Sequence, residues 1–134
     1  MNKQFFISLL FALITFVILG GLFGNFVFLP EFATWHEAYP DAVRETPDFV
    51  SGFVLGLLQL IAFVVLLPKL QITSGSGAAM FGAVYSVVIW LIVDLQMVSV
   101  TNIVSYEYVL KDALLSAVMG AILGVVVSWS QRRF

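Results

Sequence analysis

Long apolar runs alternate with short polar stretches along this chain of 134 residues. The runs cover 5–29, 49–67, 77–98 and 108–129. At about 1.5 Å per residue, each run wound as a helix reaches close to or beyond the ~30 Å hydrocarbon thickness of a bilayer. Open strands cannot cross lipid, because their backbone groups would go unpaired there, so the pattern predicts four membrane-spanning helices. Pro30 is expected to stop the first and Pro68 the second. Residues 30–48 read as a polar loop carrying Glu31, Glu37, Asp41, Arg44, Glu45 and Asp48, whereas 68–76 and 99–107 read as short links. The first run follows Lys3 as in a signal peptide, but it outlasts an apolar core of about 7–15 residues and reads as a retained helix. The expectation is one all-α domain over 1–134, a polytopic four-helix transmembrane bundle.

Small residues recur within these runs. Gly20/Gly24, Gly52/Gly56 and Gly120/Gly124 are GxxxG pairs, and the third run has Gly75/Ala79/Ala83 and Ala78/Gly82. Lipid tails are as apolar as leucine, so membrane helices associate by close backbone approach, which small residues four apart permit. Gly20, Gly24, Gly52, Gly56, Gly82, Gly120 and Gly124 are therefore expected at helix crossings, within one chain or between chains.

The polar residues follow the same stripes. Gly75, Ala79, Gly82, Ser86, Trp90 and Asp94 share one face of the third helix, and Asp112, Ser116, Gly120, Gly124 and Ser128 one face of the fourth. Gln59 lies on the Gly52/Gly56 face, and Asn25 lies beside Gly24. Polar groups in a membrane are costly and face the bundle interior. Asp94, Asn25, Gln59, Asn102 and Asp112 are thus the candidate binding residues. Asp94 is expected to find a polar partner, with Arg44, Lys111, Asn102 and Asn25 the candidates in that order. Gln59 suits an interhelical hydrogen bond. Glu107 and Lys111 stand four apart in the favourable order.

Composition narrows the chemistry. The chain is 61% hydrophobic and 10% charged, with mean hydropathy +1.06, far from the soluble average of about a quarter charged. It contains no cysteine and a single histidine, His36, so thiol chemistry and multi-histidine metal or haem sites are excluded. No catalytic residue, metal site or cofactor is expected; lipids are the bound molecules the composition calls for. Lys3, Lys69, Arg132 and Arg133 fall on one side of the predicted membrane and Arg44 and Lys111 on the other, which predicts both termini in the cytoplasm. Trp35, Tyr39, Tyr106, Tyr108 and Trp129 fit interfacial belts.

The stretch from Asp94 to Trp129 runs from an Asp-Leu at the end of one helix through Thr101-Asn102 to a second acid, Asp112, opening a glycine-rich helix. On these residues the last third of the chain resembles small four-helix bacterial inner-membrane proteins grouped as domains of unknown function. The resemblance implies a bacterial inner-membrane bundle and carries no activity. The functional expectation is a non-catalytic membrane subunit or accessory protein, packed against other membrane-protein subunits or itself, with no nucleic-acid partner. The alternative is a small oligomeric transporter or channel using inward-facing Asp94, Gln59 and Asn25. A lipid-acting enzyme would have to rest on Asp94 with His36.

Overall fold

The computed structural model describes residues 3–134. It has four helices and, among those residues, no strand: α1 (Lys3–Ala38), α2 (Phe49–Lys69), α3 (Gly75–Val100) and α4 (Tyr106–Arg133). All four are long and apolar enough to cross a membrane, and the chain is a multi-pass, all-α membrane protein. Three N-termini carry side-chain caps, which satisfy amides the helix itself leaves open. Asp48 accepts from the Val50 and Ser51 amides at 3.1 and 3.3 Å. Ser74 accepts from Gly77 N at 3.0 Å and Ser105 from Tyr108 N at 3.2 Å. The Ser51 hydroxyl also donates to Asp48, and these bonds hold its carboxyl below the ordinary value of 3.8.

Pro30 does not end the first helix, which continues to Ala38. A proline inside an α-helix lacks the amide for its own bond and crowds the carbonyl four residues earlier. Here the helix widens into a π-turn over Gly24–Phe28, where Leu29 N bonds to Gly24 O, five residues back. Pro30 then enters in the first turn of a fresh α-helical stretch, where a missing amide costs least. The polar loop accordingly shrinks to 39–48. Pro68 likewise sits just inside the end of α2. That helix closes with Gln71 in the left-handed region, φ 57°. Gln71 N bonds to Pro68 O at 3.0 Å and Ile72 N to Leu67 O at 3.4 Å, the Schellman arrangement in which glycine is usual.

The helices alternate in direction, and the contacts at each end show it. Gln4 donates to the Gln131 carbonyl and Ser8 and Ser130 share a hydrogen bond of 2.9 Å, so both termini lie at one end. Tyr39 donates to the Asn102 carbonyl at 3.2 Å, so the 39–48 and 101–105 loops lie at the other. The α3–α4 pair is the most closely packed, followed by α1 against α4 and α1 against α2. A core of Ala12, Leu60, Phe63, Val64, Leu67, Ala78, Leu123 and Val127 fills the terminal end. A smaller cluster of Val104, Tyr108 and Val109, with Trp35 and Phe28 against it, fills the loop end.

The glycines divide into two groups. A Cβ added at Gly82 would run into the Gly120 carbonyl, one at Gly120 into the Gly82 carbonyl, and one at Gly124 into the Ala78 carbonyl. These three make α3 and α4 touch backbone to backbone. Gly56 faces the Phe16 ring, 2.6 Å from where its Cβ would stand. Gly20, Gly24 and Gly52 have nothing within 4 Å, so the first GxxxG pair and half of the second form no helix crossing within this chain. Helices α1 and α2 are held apart at this height by the chain path and by Phe16, and their small residues line empty space.

Candidate functional site: a lateral groove ending on two carboxyls

The space beside those glycines is a groove of about 520 Å³. Its two walls are α1, through Gly20, Gly21, Gly24 and Asn25, and α2, through Phe49, Gly52 and Phe53. Its floor is Trp90 of α3 with Tyr108, Asp112, Ser116 and Met119 of α4. The π-turn contributes Gly24, Asn25 and Phe28; such turns are frequent where helices are shaped for function. Val17, Phe49 and Phe53 on the rim are exposed, and they belong to the outer faces of two spanning helices. The groove therefore opens sideways, in the half of the bundle that carries the 39–48 loop. Its lining is mainly apolar and its size falls in the ~300–1,000 Å³ range of small-molecule sites.

Two carboxyls meet at the floor's edge: Asp112 lines the groove and Asp94 stands behind it. Asp94 is 5% and Asp112 4% exposed, and they lie within hydrogen-bond reach of each other. Helix spacing puts each on the buried stripe of its helix. The contact of Gly82 with Gly120 draws the two helices close enough for those stripes to meet. The Ser116 hydroxyl donates to Asp112 Oδ1 at 3.3 Å. Asp94 Oδ2 is enclosed and has no hydrogen-bond partner among the described residues. Two facing carboxyls shielded from water either share a proton or, if both are ionised, need a cation between them.

None of the four partners expected for Asp94 fills that place. Lys111 forms an ion pair with Glu31 at 2.9 Å, because α1 runs on past Pro30 and brings Glu31 beside the start of α4. Asn25 donates to Gly21 O at 2.7 Å within its own helix, although it also lines the groove. Asn102 takes part through its carbonyl, which accepts from Tyr39. Arg44 lies near Asp48. What faces Asp94 is Asp112, another acid. His36 Nδ1 bonds to Val43 O at 2.7 Å and ties down the 39–48 loop, so no dyad with Asp94 forms.

At Gln59 the interhelical bond is made by the backbone: Tyr85 donates to the Gln59 carbonyl at 3.2 Å. Gln59, Tyr85, Ser86 and Trp90 line a small space of about 40 Å³. It shares Phe16, Trp90, Ser116 and Met119 with the groove and continues it inward. Beyond it Leu60, Phe63 and Leu123 close the way to the terminal end. Tyr85, Tyr108 and Trp90 thus join the candidate residues. Their aromatic character signals burial and an interface, but nothing in their spacing points to a common cavity. Among the described residues no group of three metal-ligating side chains converges.

No family model, curated protein or solved structure matches this chain.

Proposed function

We propose that this is a non-catalytic protein of the bacterial inner membrane that binds a small lipid-soluble molecule in the groove between α1 and α2, as a small carrier would. Both termini lie in the cytoplasm, which puts the groove in the outer half of the membrane. One observation carries the reading: a laterally open, mainly apolar groove of about 520 Å³ runs down to a buried polar floor. A ligand dissolved in the bilayer reaches such a groove without crossing water. The closed terminal end gives the groove a single access, as a carrier in one of its states requires.

A second reading makes the protein an accessory subunit, with the groove receiving a helix of another subunit or of a second copy. The glycine walls favour it, since Gly20, Gly24 and Gly52 are open to close approach.

Native mass spectrometry of the protein released from lipid nanodiscs separates the two. The carrier reading expects a bound molecule of a few hundred daltons that is lost in Gly52→Trp, whose indole fills the groove. Absence of any bound molecule in the wild type, or its equal retention in Gly52→Trp, overturns it. A stoichiometric membrane subunit bound in its place supports the second reading.

A further inference from the structure

We infer that the Asp94–Asp112 pair is a cation subsite and that the ligand of the groove is an amphipathic monoamine, with its alkyl or aryl body in the groove and its ammonium at the two carboxyls. The inference rests on the carrier reading and adds the chemistry of the ligand. Three observations carry it. Asp112 lines the groove floor and Asp94 stands behind it. Asp94 Oδ2 is buried without a partner among the described residues, and Asp94 is 5% exposed. Lys111, next to Asp112 in the chain, is engaged by Glu31 and does not neutralise the acids, which leaves the pair open to an ammonium in place of a shared proton.

A metal ion fits poorly. Hard cations take six or more oxygen ligands, and the floor offers the Asp112 carboxyl and the Ser116 hydroxyl, with Asp94 behind them. A primary ammonium brings three donors, which Asp94, Asp112 and Ser116 match. The Phe28, Phe32 and Trp90 rings along the groove suit an organic cation, which gains from aromatic faces, and the apolar walls accept its hydrocarbon body. The bilayer supplies such a molecule from the side on which the groove opens.

Trp90 provides the readout, since it lies on the floor while Trp35 and Trp129 do not line the groove. The full chain, with Trp35→Phe and Trp129→Phe, is placed in phosphatidylcholine nanodiscs. It is titrated with dodecylamine brominated on its chain, and separately with dodecanol brominated alike, and quenching of Trp90 is followed. Hydrogen bonds to charged groups predict that the amine quenches at concentrations about tenfold lower than the alcohol. That preference should shrink to within about threefold in Asp112→Asn and in Asp94→Asn, because the neutral amide keeps the shape and loses the charge. The two variants are independent, and the wild-type comparison requires neither to fold. Equal quenching by amine and alcohol in the wild type, or a preference unchanged in a folded asparagine variant, overturns the cation subsite and leaves the groove reading standing. Failure of both probes to quench Trp90 above their effect on Gly52→Phe, whose ring fills the groove without adding a second tryptophan, overturns the groove reading itself, and this inference with it.

Discussion

Replacing Gly120 by alanine adds one methyl group at the point where α3 and α4 are closest. The new Cβ falls inside the contact shell of the Gly82 carbonyl and also of the Ser86 hydroxyl. Carbon–oxygen contacts across helix pairs settle at about 3.3–3.6 Å, so the helices must part by roughly 1 Å. The Ser86 hydroxyl can turn aside, but the Gly82 carbonyl is backbone and cannot. Parting weakens the carbon–oxygen contacts at Gly82, Gly120 and Gly124, worth roughly 0.5–1 kcal/mol each. It also forfeits about a quarter to a half of the dispersion energy along the stripe, on the order of 1 kcal/mol. Against this, alanine favours the helix over glycine by about 1 kcal/mol. The net expectation is a loss of about 2 kcal/mol, or roughly thirtyfold in the unfolding equilibrium. Gly52→Ala is the matched control. Its Cβ meets nothing, so the propensity gain stands alone and stability is unchanged or slightly raised. Unfolding of both variants by dodecyl sulfate titration in bicelles, followed by tryptophan fluorescence, measures the difference. If Gly120→Ala unfolds within about 0.5 kcal/mol of Gly52→Ala, the account of α3–α4 packing is refuted.

Gln71→Gly should stabilise the protein by about 0.5–1 kcal/mol in the same titration, because glycine accepts the left-handed backbone that closes α2 without steric cost; a loss of stability would contradict this. The Asp48 cap should respond to acid. Its carboxyl is held below 3.8 by Ser51, so its stabilising effect is complete above that pH and fades as the pH falls below it. Hydrogen exchange at the Val50 and Ser51 amides should lose protection over that acidic range in the wild type, and Asp48→Asn should remove the dependence.

Helix class and span number are legible in the chain because lipid leaves the backbone no alternative. With no water to pair its amides and carbonyls, a long apolar run must satisfy them internally, so hydropathy alone yields four helices. The stripe of Asp112, Ser116, Gly120, Gly124 and Ser128 is legible for the same local reason: periodicity places those residues on one face, and all are buried. Pro30 shows the limit of local rules. Its penalty is real, but the π-turn at Gly24–Phe28 absorbs it, and whether a helix bends, stops or widens depends on what packs beside it.

The site belongs to the tertiary structure. GxxxG spacing marks where a helix is narrow without saying what fills the gap. At Gly82, Gly120 and Gly124 another backbone fills it, whereas at Gly20, Gly24 and Gly52 nothing does and a groove results. In the same way, sequence identifies Asp94 as a costly charge in need of a partner. Charge complementarity points to lysine or arginine, yet the lengthened first helix takes Lys111 for Glu31, and the glycine crossing sets Asp94 against Asp112. Partner choice among buried charges is fixed by which helices touch and at what height, and those are distances between residues far apart in the chain, on which no local pattern reports.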